Sequence, residues 1–379
     1  MKIVADENIP SVTEAFSYLG EVTRVSGRGL QPEQVADADV LLVRSVTRVD
    51  EKLLAGSRVR FVGSATIGFD HVDRDYLAAR GIGFATAPGS NATSAAEYVA
   101  SALLVLSQQR GVTLAGRTVG IIGCGNVGSR VRARLRVLGM ECLVNDPPLQ
   151  ASGAQDEFVS LDDALACDIV TVHVPLERGG KHPTFHLIDA AALARLRPGA
   201  VFINTSRGAV ADNPALLATL QARADLAVVL DVWEGEPSIS LPLLERVALG
   251  TPHIAGYSLD GKLRGTEMIY RAACDFLGEP LSWDVRSVLP PVAPVDVAAA
   301  TGDDRESLAR AAVLGCYDVR ADDRRLRKLL ELEPEQQPAY FDRLRKEYPV
   351  RREFAATPLV HAPLSETQRQ LLAGLGFEV

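Results

Sequence analysis

The sequence predicts an α/β protein with two doubly wound domains and a small carboxyl-terminal α+β domain. Over most of the chain, short runs rich in Val, Ile and Leu alternate with helical stretches, which is typical of parallel sheets covered by helices. A glycine-rich turn joins one of these strands to a helix. At 379 residues the chain is too long for a single ordinary domain, so we expect several hydrophobic cores.

Residues 1–93 and 258–285 are predicted to form one discontinuous, substrate-binding domain, because the helix after the second domain should return to the first sheet. Polar loops follow two of its predicted strands and carry Arg44, Ser45 and Thr66. Ligands of open α/β sheets bind beyond the carboxyl ends of the strands, so these side chains are candidates for holding a small anionic substrate. Ordinary surface turns are the alternative interpretation.

Residues 94–257 are predicted to form a dinucleotide-binding domain. The apolar run Thr118–Ile122 leads into a glycine turn at 123–128, and a helix follows, so the backbone N–H groups at its start can bind a pyrophosphate. A second strand ends at Asp146, near the spacing at which such folds place a carboxylate on the adenosine ribose. No arginine follows this acid, which favours NAD over NADP. A glycine-rich surface loop is the alternative.

Charged or titratable side chains follow the later strands of this domain. Arg207 has the planar guanidinium that can hold a carboxylate and the reacting oxygen together. His253 titrates in the range of a general base, and Glu236 is a candidate to orient its ring. Asp231 is a candidate acceptor for the nicotinamide carboxamide. Each residue alone fits a surface or loop role, but together they favour an alcohol dehydrogenase site.

Charge argues against two classes of partner. The net charge is −8 and basic residues are interleaved with acids, which argues against a nucleic-acid or anionic-membrane partner. The same holds for the basic residues of the tail, among them Arg343 and Arg345, whose pattern favours a solvated or interfacial face. No apolar run is long enough to span a bilayer.

Cysteine and histidine spacing predicts no metal site. The five cysteines, at 124, 142, 167, 274 and 316, show no CxxC spacing, which indicates free thiols in a cytoplasmic protein. His182 and His186 are four residues apart, but Pro183 lies between them, so a shared helical face is not expected.

The ordered motifs resemble those of the D-2-hydroxyacid dehydrogenases over roughly residues 1–285. The motifs are GCGNVG at 123–128, HVPL at 173–176, INTSRG at 203–208, LDVWEGEP at 230–237 and TPHIAGYS at 251–258. The resemblance implies two Rossmann-like domains with the active site in the cleft between them, and catalytic Arg207, Glu236 and His253. It also implies NAD contacts at Gly123, Gly125, Asn126, Val127, Gly128, Asp146, Val174, Thr205, Asp231 and Gly256.

Within the family, the segments 44–49 and 255–270 and the extra tail most resemble the members that act in pyridoxal 5′-phosphate biosynthesis. Those members oxidise 4-phospho-D-erythronate at C2 to (R)-3-hydroxy-2-oxo-4-phosphooxybutanoate with NAD. The resemblance then implies substrate contacts at Ser45, Thr66 and Tyr257 and a homodimer formed through residues 286–379. Two alternatives remain open: a dehydrogenase of another phosphorylated D-2-hydroxy acid, such as 3-phosphoglycerate, and a non-enzymatic NAD-sensing protein similar to transcriptional corepressors.

Overall fold

The computed structural model describes all residues except 301–303, which belong to the predicted carboxyl-terminal domain and lie outside the described residues. The chain forms two compact units, one of residues 1–91 and 258–291 and the other of residues 92–257 and 292–379. The main sheet of each unit is entirely parallel, which confirms the predicted α/β class. In the part of the chain that the structure describes, no helix has both the length and the apolar character needed to cross a membrane.

Strands and helices alternate along most of the chain. The strands are β1 (Lys2–Asp6), β2 (Glu21–Val25), β3 (Val40–Val43), β4 (Phe61–Ser64), β5 (Gly83–Ala85), β6 (Thr118–Ile122), β7 (Glu141–Asn145), β8 (Ile169–Val172), β9 (Val201–Asn204), β10 (Ala227–Leu230), β11 (Leu249–Gly250), β12 (Val295–Asp296) and β13 (Leu359–Val360). The helices are α1 (Val12–Phe16), α2 (Pro32–Val35), α3 (Glu51–Leu54), α4 (Arg74–Ala79), α5 (Ala92–Arg110), α6 (Asn126–Val137), α7 (Pro147–Ala151), α8 (Leu161–Leu165), α9 (Ala190–Ala194), α10 (Asn213–Ala222), α11 (Leu241–Arg246), α12 (Leu259–Leu277), α13 (Arg305–Cys316), α14 (Arg320–Arg327), α15 (Gln337–Lys346) and α16 (Glu366–Leu375).

The first unit has a five-stranded sheet in the order β2-β1-β3-β4-β5. Alternate residues of β3 serve two cores, because successive side chains of a strand point to opposite faces. Leu42 lies in one cluster with Ile269 of α12, and Leu41 lies in the other with Leu54 of α3. The edge strand β2 was not predicted from the sequence. Its residues are mostly exposed or half-buried, so they lack the continuous apolar run of a central strand.

The second unit has a six-stranded sheet in the order β11-β10-β9-β8-β6-β7. Its first strand, β6, pairs with β7 on one side and with β8 on the other, so the strand order reverses at β6. Ligands of doubly wound sheets bind at the carboxyl end of such a strand. A parallel bridge between Val144 and Phe158 extends the sheet beyond β7.

The carboxyl-terminal segment 292–379 shares its hydrophobic core with the dinucleotide-binding domain. Leu308 of α13 and Leu372 of α16 lie in one buried cluster with residues of α5 and α6. The packing is close, because a Cβ added to Gly374 would lie 2.5 Å from the Val137 side chain. Arg351, which is buried, pairs with the fully buried Glu97 of α5 at 3.5 Å. The tail therefore folds as part of this unit.

Candidate active site

The glycine turn lies between β6 and α6, where the strand order reverses. Gly123 has a φ of 87°, in the left-handed region that favours glycine, and a Cβ added there would lie 2.8 Å from the Val174 side chain. A Cβ added to Gly128 would lie 2.0 Å from the carbonyl oxygen of Gly123. At Gly125, by contrast, an added Cβ would meet nothing within 4 Å. The start of α6 is thus open and free of side chains, which fits the pyrophosphate of NAD.

Two further predicted cofactor contacts lie in the first turn of α6. Asn126 is exposed and Val127 is half-buried. The Val127 side chain does not come within 4 Å of a Cβ added to Gly125. The structure therefore brings all of the predicted glycine-turn residues together at one helix start.

Asp146 follows β7 and connects it to the glycine turn. Its Oδ2 accepts a hydrogen bond from the Cys124 N–H at 2.8 Å, and its Oδ1 accepts one from the Leu149 N–H at 2.9 Å. The second bond caps α7, which begins with Pro147 and Pro148. The carboxylate is therefore held beside the turn, where it fits the ribose hydroxyls of NAD and would repel an added 2′-phosphate.

Arg207 follows β9 in a loop that the buried Asn204 holds in place. The Asn204 side chain accepts from the Ser206 N–H at 3.0 Å and donates to the Arg207 carbonyl at 3.0 Å. The guanidinium of Arg207 donates to the Ser206 carbonyl at 2.7 Å. Among the residues that the structure describes, no carboxylate pairs with Arg207, so its charge is available to an anionic ligand.

Glu236 and His253 are 17 residues apart in sequence and in direct contact. Nδ1 of His253 donates to Oε2 of Glu236 at 2.8 Å, while Oε1 accepts from the Trp233 N–H at 2.8 Å. With the hydrogen on Nδ1, the neutral ring carries its lone pair on Nε2. Burial raises the pKa of Glu236, but the charge and hydrogen bond of His253, the Trp233 N–H and the charge of Arg345 outweigh burial, so this pKa lies below its usual value.

Asp231 holds the loop that carries His253. Its carboxylate is 1% exposed and accepts from the Thr251 hydroxyl at 2.6 Å and from the Ile254 and Ala255 N–H groups at 2.8 and 2.9 Å. The Asp231 carbonyl accepts from the His253 N–H at 2.7 Å. These bonds stabilise His253 at a φ of 58°, a left-handed conformation that costs roughly 1–3 kcal/mol. Among the described residues, Oδ2 accepts from the Ala255 N–H alone, so it retains the lone pair that the predicted contact with the nicotinamide carboxamide requires.

His173 orients a predicted cofactor contact, although the sequence did not identify it individually. Its Nδ1 lies 3.3 Å from the Thr205 hydroxyl and its Nε2 lies 2.9 Å from the Thr171 hydroxyl. Burial lowers the pKa of His173 to about 3, so the ring is neutral and cannot replace His253 in proton transfer near neutral pH. The position of His173 directly after the strand β8 could have identified it as a candidate.

A second acid of the same loop has a different partner. Glu234 Oε1 accepts from His186 Nε2 at 2.8 Å, and its Oε2 accepts from the Asn213 N–H at 2.8 Å. Nδ1 of His186 lies 3.6 Å from Asp212. Nothing in the sequence pattern indicated that His186 would contact two acids. The contacts of the three groups with one another and with Asn213 account for the arrangement. Glu234 is therefore bound away from His253, which Glu236 contacts.

The predicted substrate residues of the first unit lie beyond β3 and β4. Arg44 Nε lies 3.2 Å from the buried carboxylate of Asp6, and Ser45 is exposed. The Thr66 hydroxyl is 2.8 Å from that of Ser64, which in turn is 3.0 Å from His71 Nε2. Burial lowers the pKa of His71, although Asp70 opposes this, so the cluster is neutral and polar. Ser64 and His71 were not predicted.

Tyr257, the last predicted substrate contact, ends the loop that begins with Thr251. Its N–H donates to the Ile254 carbonyl at 2.8 Å, and Gly256 beside it is half-buried. The ring packs edge-on against Tyr348, with centroids 5.8 Å apart. The guanidinium carbon of Arg345 lies 5.8 Å from the centre of the Tyr257 ring. Arg345 and Tyr348, both of the tail, therefore contact the loop that carries His253.

Known proteins are similar to this chain over its whole length. The family described as "D-isomer specific 2-hydroxyacid dehydrogenase, NAD binding domain" matches residues 90–255, and a domain of unknown function (DUF3410) matches residues 288–376. Erythronate-4-phosphate dehydrogenase of Marinobacter nauticus is 49% identical over 100% of both chains, and that of Edwardsiella ictaluri is 50% identical over 100% of this chain and 99% of the relative. Among solved structures, D-lactate dehydrogenase from Aquifex aeolicus, complexed with NAD and lactic acid, is 25% identical with a TM-score of 0.59, covering 73% of this chain and 96% of its own.

Proposed function

The chain belongs to the D-isomer specific 2-hydroxyacid dehydrogenases and, within them, to the erythronate-4-phosphate dehydrogenases, and from this membership we propose that it oxidises 4-phospho-D-erythronate at C2 with NAD. The predicted family, the enzymatic class and the NAD cofactor are confirmed. The product is (R)-3-hydroxy-2-oxo-4-phosphooxybutanoate, and the pathway is pyridoxal 5′-phosphate biosynthesis. One observation carries the chemical assignment: the Glu236 carboxylate and the His253 imidazole are in contact at 2.8 Å.

His253 is the general base in this proposal. With Nδ1 bound to Glu236, its Nε2 accepts the proton of the C2 hydroxyl as the alcohol becomes a carbonyl. Glu236 stabilises the imidazolium that forms, because the carboxylate is ionised and its hydrogen bond strengthens as the ring becomes charged. In the reverse direction the imidazolium returns the proton. When bound, NAD takes up the hydride from C2.

Arg207 binds the substrate carboxylate and the C2 oxygen. Its side chain has no carboxylate partner among the described residues, and Asn204 fixes the backbone on both sides of it. A guanidinium can donate two parallel hydrogen bonds to a carboxylate, which also fixes the face of C2 that the nicotinamide meets. Thr205, oriented by His173, and the Asp231 and Gly256 positions are the proposed contacts of the nicotinamide half.

The test of this function is NADH formation by the full-length protein with 4-phospho-D-erythronate beside 3-phospho-D-glycerate. We expect the first substrate to have the higher kcat/KM. If kcat/KM is higher for 3-phosphoglycerate, the proposed substrate is wrong, but the proposed oxidation of a 2-hydroxy acid with NAD is supported. Binding of NAD without turnover of either acid would favour the corepressor-like alternative, against which the Glu236 and His253 pair argues.

We further propose a homodimer formed through the tail and a cytoplasmic location. Four large apolar side chains of the tail are exposed: Leu330, Val350, Val360 and Val379. Val350 is the most exposed of them at 70%, and symmetric pairing is a common way to cover such residues. Light scattering of Val350→Asp should show a smaller particle than the unmodified protein. The five free cysteines support a reducing compartment.

A further inference from the structure

Arg345 is a charged residue of the tail at the loop that carries the catalytic histidine. It lies in the last turn of α15. Phe341 of the same helix is fully buried in the hydrophobic cluster that also contains Trp233. The guanidinium carbon of Arg345 lies 5.8 Å from the centre of the Tyr257 ring. It is also close enough to Glu236 for their charges to interact. The residue thus lies between a proposed substrate contact and the proposed acid of the catalytic pair.

The guanidinium of Arg345 keeps its charge and has one donor without a partner. Its Nε is inaccessible to solvent and has no hydrogen-bond partner. Burial lowers the pKa of this guanidinium, but Tyr257, which also hydrogen-bonds to it, and the charges of Glu236 and Asp342 outweigh burial and raise the pKa, so the charge is permanent. An unpartnered donor on a permanent cation suits an anionic ligand.

The proposed substrate carries two anionic groups, a carboxylate beside C2 and a phosphate on C4. Arg207 serves the carboxylate, and one guanidinium cannot bind both ends of the molecule. Arg351 of the tail also reaches the loop that carries His253, where it donates to the Ala255 carbonyl at 3.2 Å, but it is buried and pairs with Glu97. Arg44, in the first unit, already pairs with Asp6 at 3.2 Å. Arg345 is half-buried and contacts the same loop at Tyr257.

We propose that Arg345 binds the phosphate of the substrate, so that the tail, besides its proposed role in association, sets the preference for a phosphorylated acid. This inference rests on the proposed function, because it assumes a phosphorylated 2-hydroxy acid at Arg207 and His253. It also changes the interpretation of the tail sequence. Arg345 was predicted to lie on a solvated or interfacial face, whereas its side chain is directed to the catalytic loop.

The experiment compares 4-phospho-D-erythronate with unphosphorylated D-erythronate in the full-length protein. Arg345→Met should raise KM for the phosphorylated substrate roughly 10- to 100-fold, the usual loss for a hydrogen bond to a charged group. The kcat/KM for D-erythronate should fall much less than that for 4-phospho-D-erythronate, since D-erythronate has no phosphate. Arg345→Lys should recover part of the loss. The matched control is Arg343→Met on the same helix, because Arg343 stacks on Tyr340 and should leave both substrates unaffected.

Equal losses with both substrates, or a changed pH profile with unchanged discrimination, would overturn the proposal and show that Arg345 acts through Glu236. A measurement without turnover keeps the inference separate from the proposed function. Inorganic phosphate should bind to the unmodified protein and to Arg343→Met, but more weakly to Arg345→Met, by titration calorimetry. If 4-phospho-D-erythronate is not oxidised but phosphate binding still depends on Arg345, the proposed substrate is wrong and the proposed phosphate site at Arg345 is supported. If phosphate binds all three proteins equally, the site is wrong.

Discussion

Replacing Glu236 with Gln removes a negative charge from the His253 ring and leaves a side chain of similar size. The contact is 2.8 Å long, and the two side chains are only 31% and 19% exposed for His253 and Glu236. A hydrogen bond to a charged group contributes about 1.5–3 kcal/mol, and the partial exposure favours the lower end of this range. Since about 1.4 kcal/mol corresponds to a factor of ten in rate, losing this stabilisation should lower the rate roughly tenfold.

The direction of the change follows from the charge. The ring becomes an imidazolium as it takes the proton, and a carboxylate stabilises that charge, whereas a neutral amide does not. The rate of oxidation should therefore fall roughly tenfold, and poorer orientation of the ring adds to the loss. The pKa of Glu236 lies below its ordinary value of 4.5, so the charged pair is present above that pH and is lost only as the pH falls through the lowered pKa. Between neutral and alkaline pH the assay therefore compares a His253 ring beside a charged Glu236 with a His253 ring beside an uncharged Gln.

The assay is the pH dependence of kcat/KM for NADH formation. Glu234→Gln is the matched control, because Glu234 belongs to the same loop but contacts His186 and the Asn213 N–H. Its kcat/KM should match that of the unmodified protein at each pH. If the profile of Glu236→Gln overlays that of the unmodified protein, the contact has no role in proton transfer, and His253 must be oriented by another group.

Two further predictions concern the cofactor site. Asp146→Ser keeps an acceptor for the Leu149 N–H but removes the charge, so the ratio of kcat/KM for NAD over NADP should fall; an unchanged ratio would contradict the role of the carboxylate. Gly128→Ala places a Cβ 2.0 Å from the Gly123 carbonyl oxygen and should lower the free energy of unfolding by roughly 1–3 kcal/mol, measured by urea titration. Gly125→Ala is its control, since a Cβ there meets no protein atom within 4 Å, and a similar loss of stability would show that close packing is not the reason for the glycine.

Much of the fold was predictable because its signals are local. Buried parallel strands are short apolar runs, so β6 was predicted with its observed bounds. The edge strand β2 was missed because exposed strands need no apolar run. The helix α6 was predicted to follow the glycine turn at 123–128, but it begins inside that turn, at Asn126, where the sequence suggests a loop.

Local sequence patterns set which chemical groups follow each strand. Strand ends follow from local periodicity, so Arg207, Glu236 and His253 could be assigned to one edge of the sheet before any contact was known. The glycine turn and Asp146 were predicted in the same way. Which of these groups contact one another depends on the tertiary fold. In the structure Glu236 contacts His253 and Glu234 contacts His186, although the two acids are two residues apart.

Tertiary packing also determines which side chains of the tail contact the loop that carries His253. Arg345 lies almost ninety residues beyond Tyr257, and nothing in the spacing of the two sets their distance. That distance follows from the packing of α15 against a core whose residues come from many separate segments of the chain. A sequence pattern records the period of one element at a time, whereas the packing of one element on another depends on the shape of both surfaces. The kinds of side chain at the candidate site could therefore be predicted from the sequence, but which charged side chains pair with one another could not.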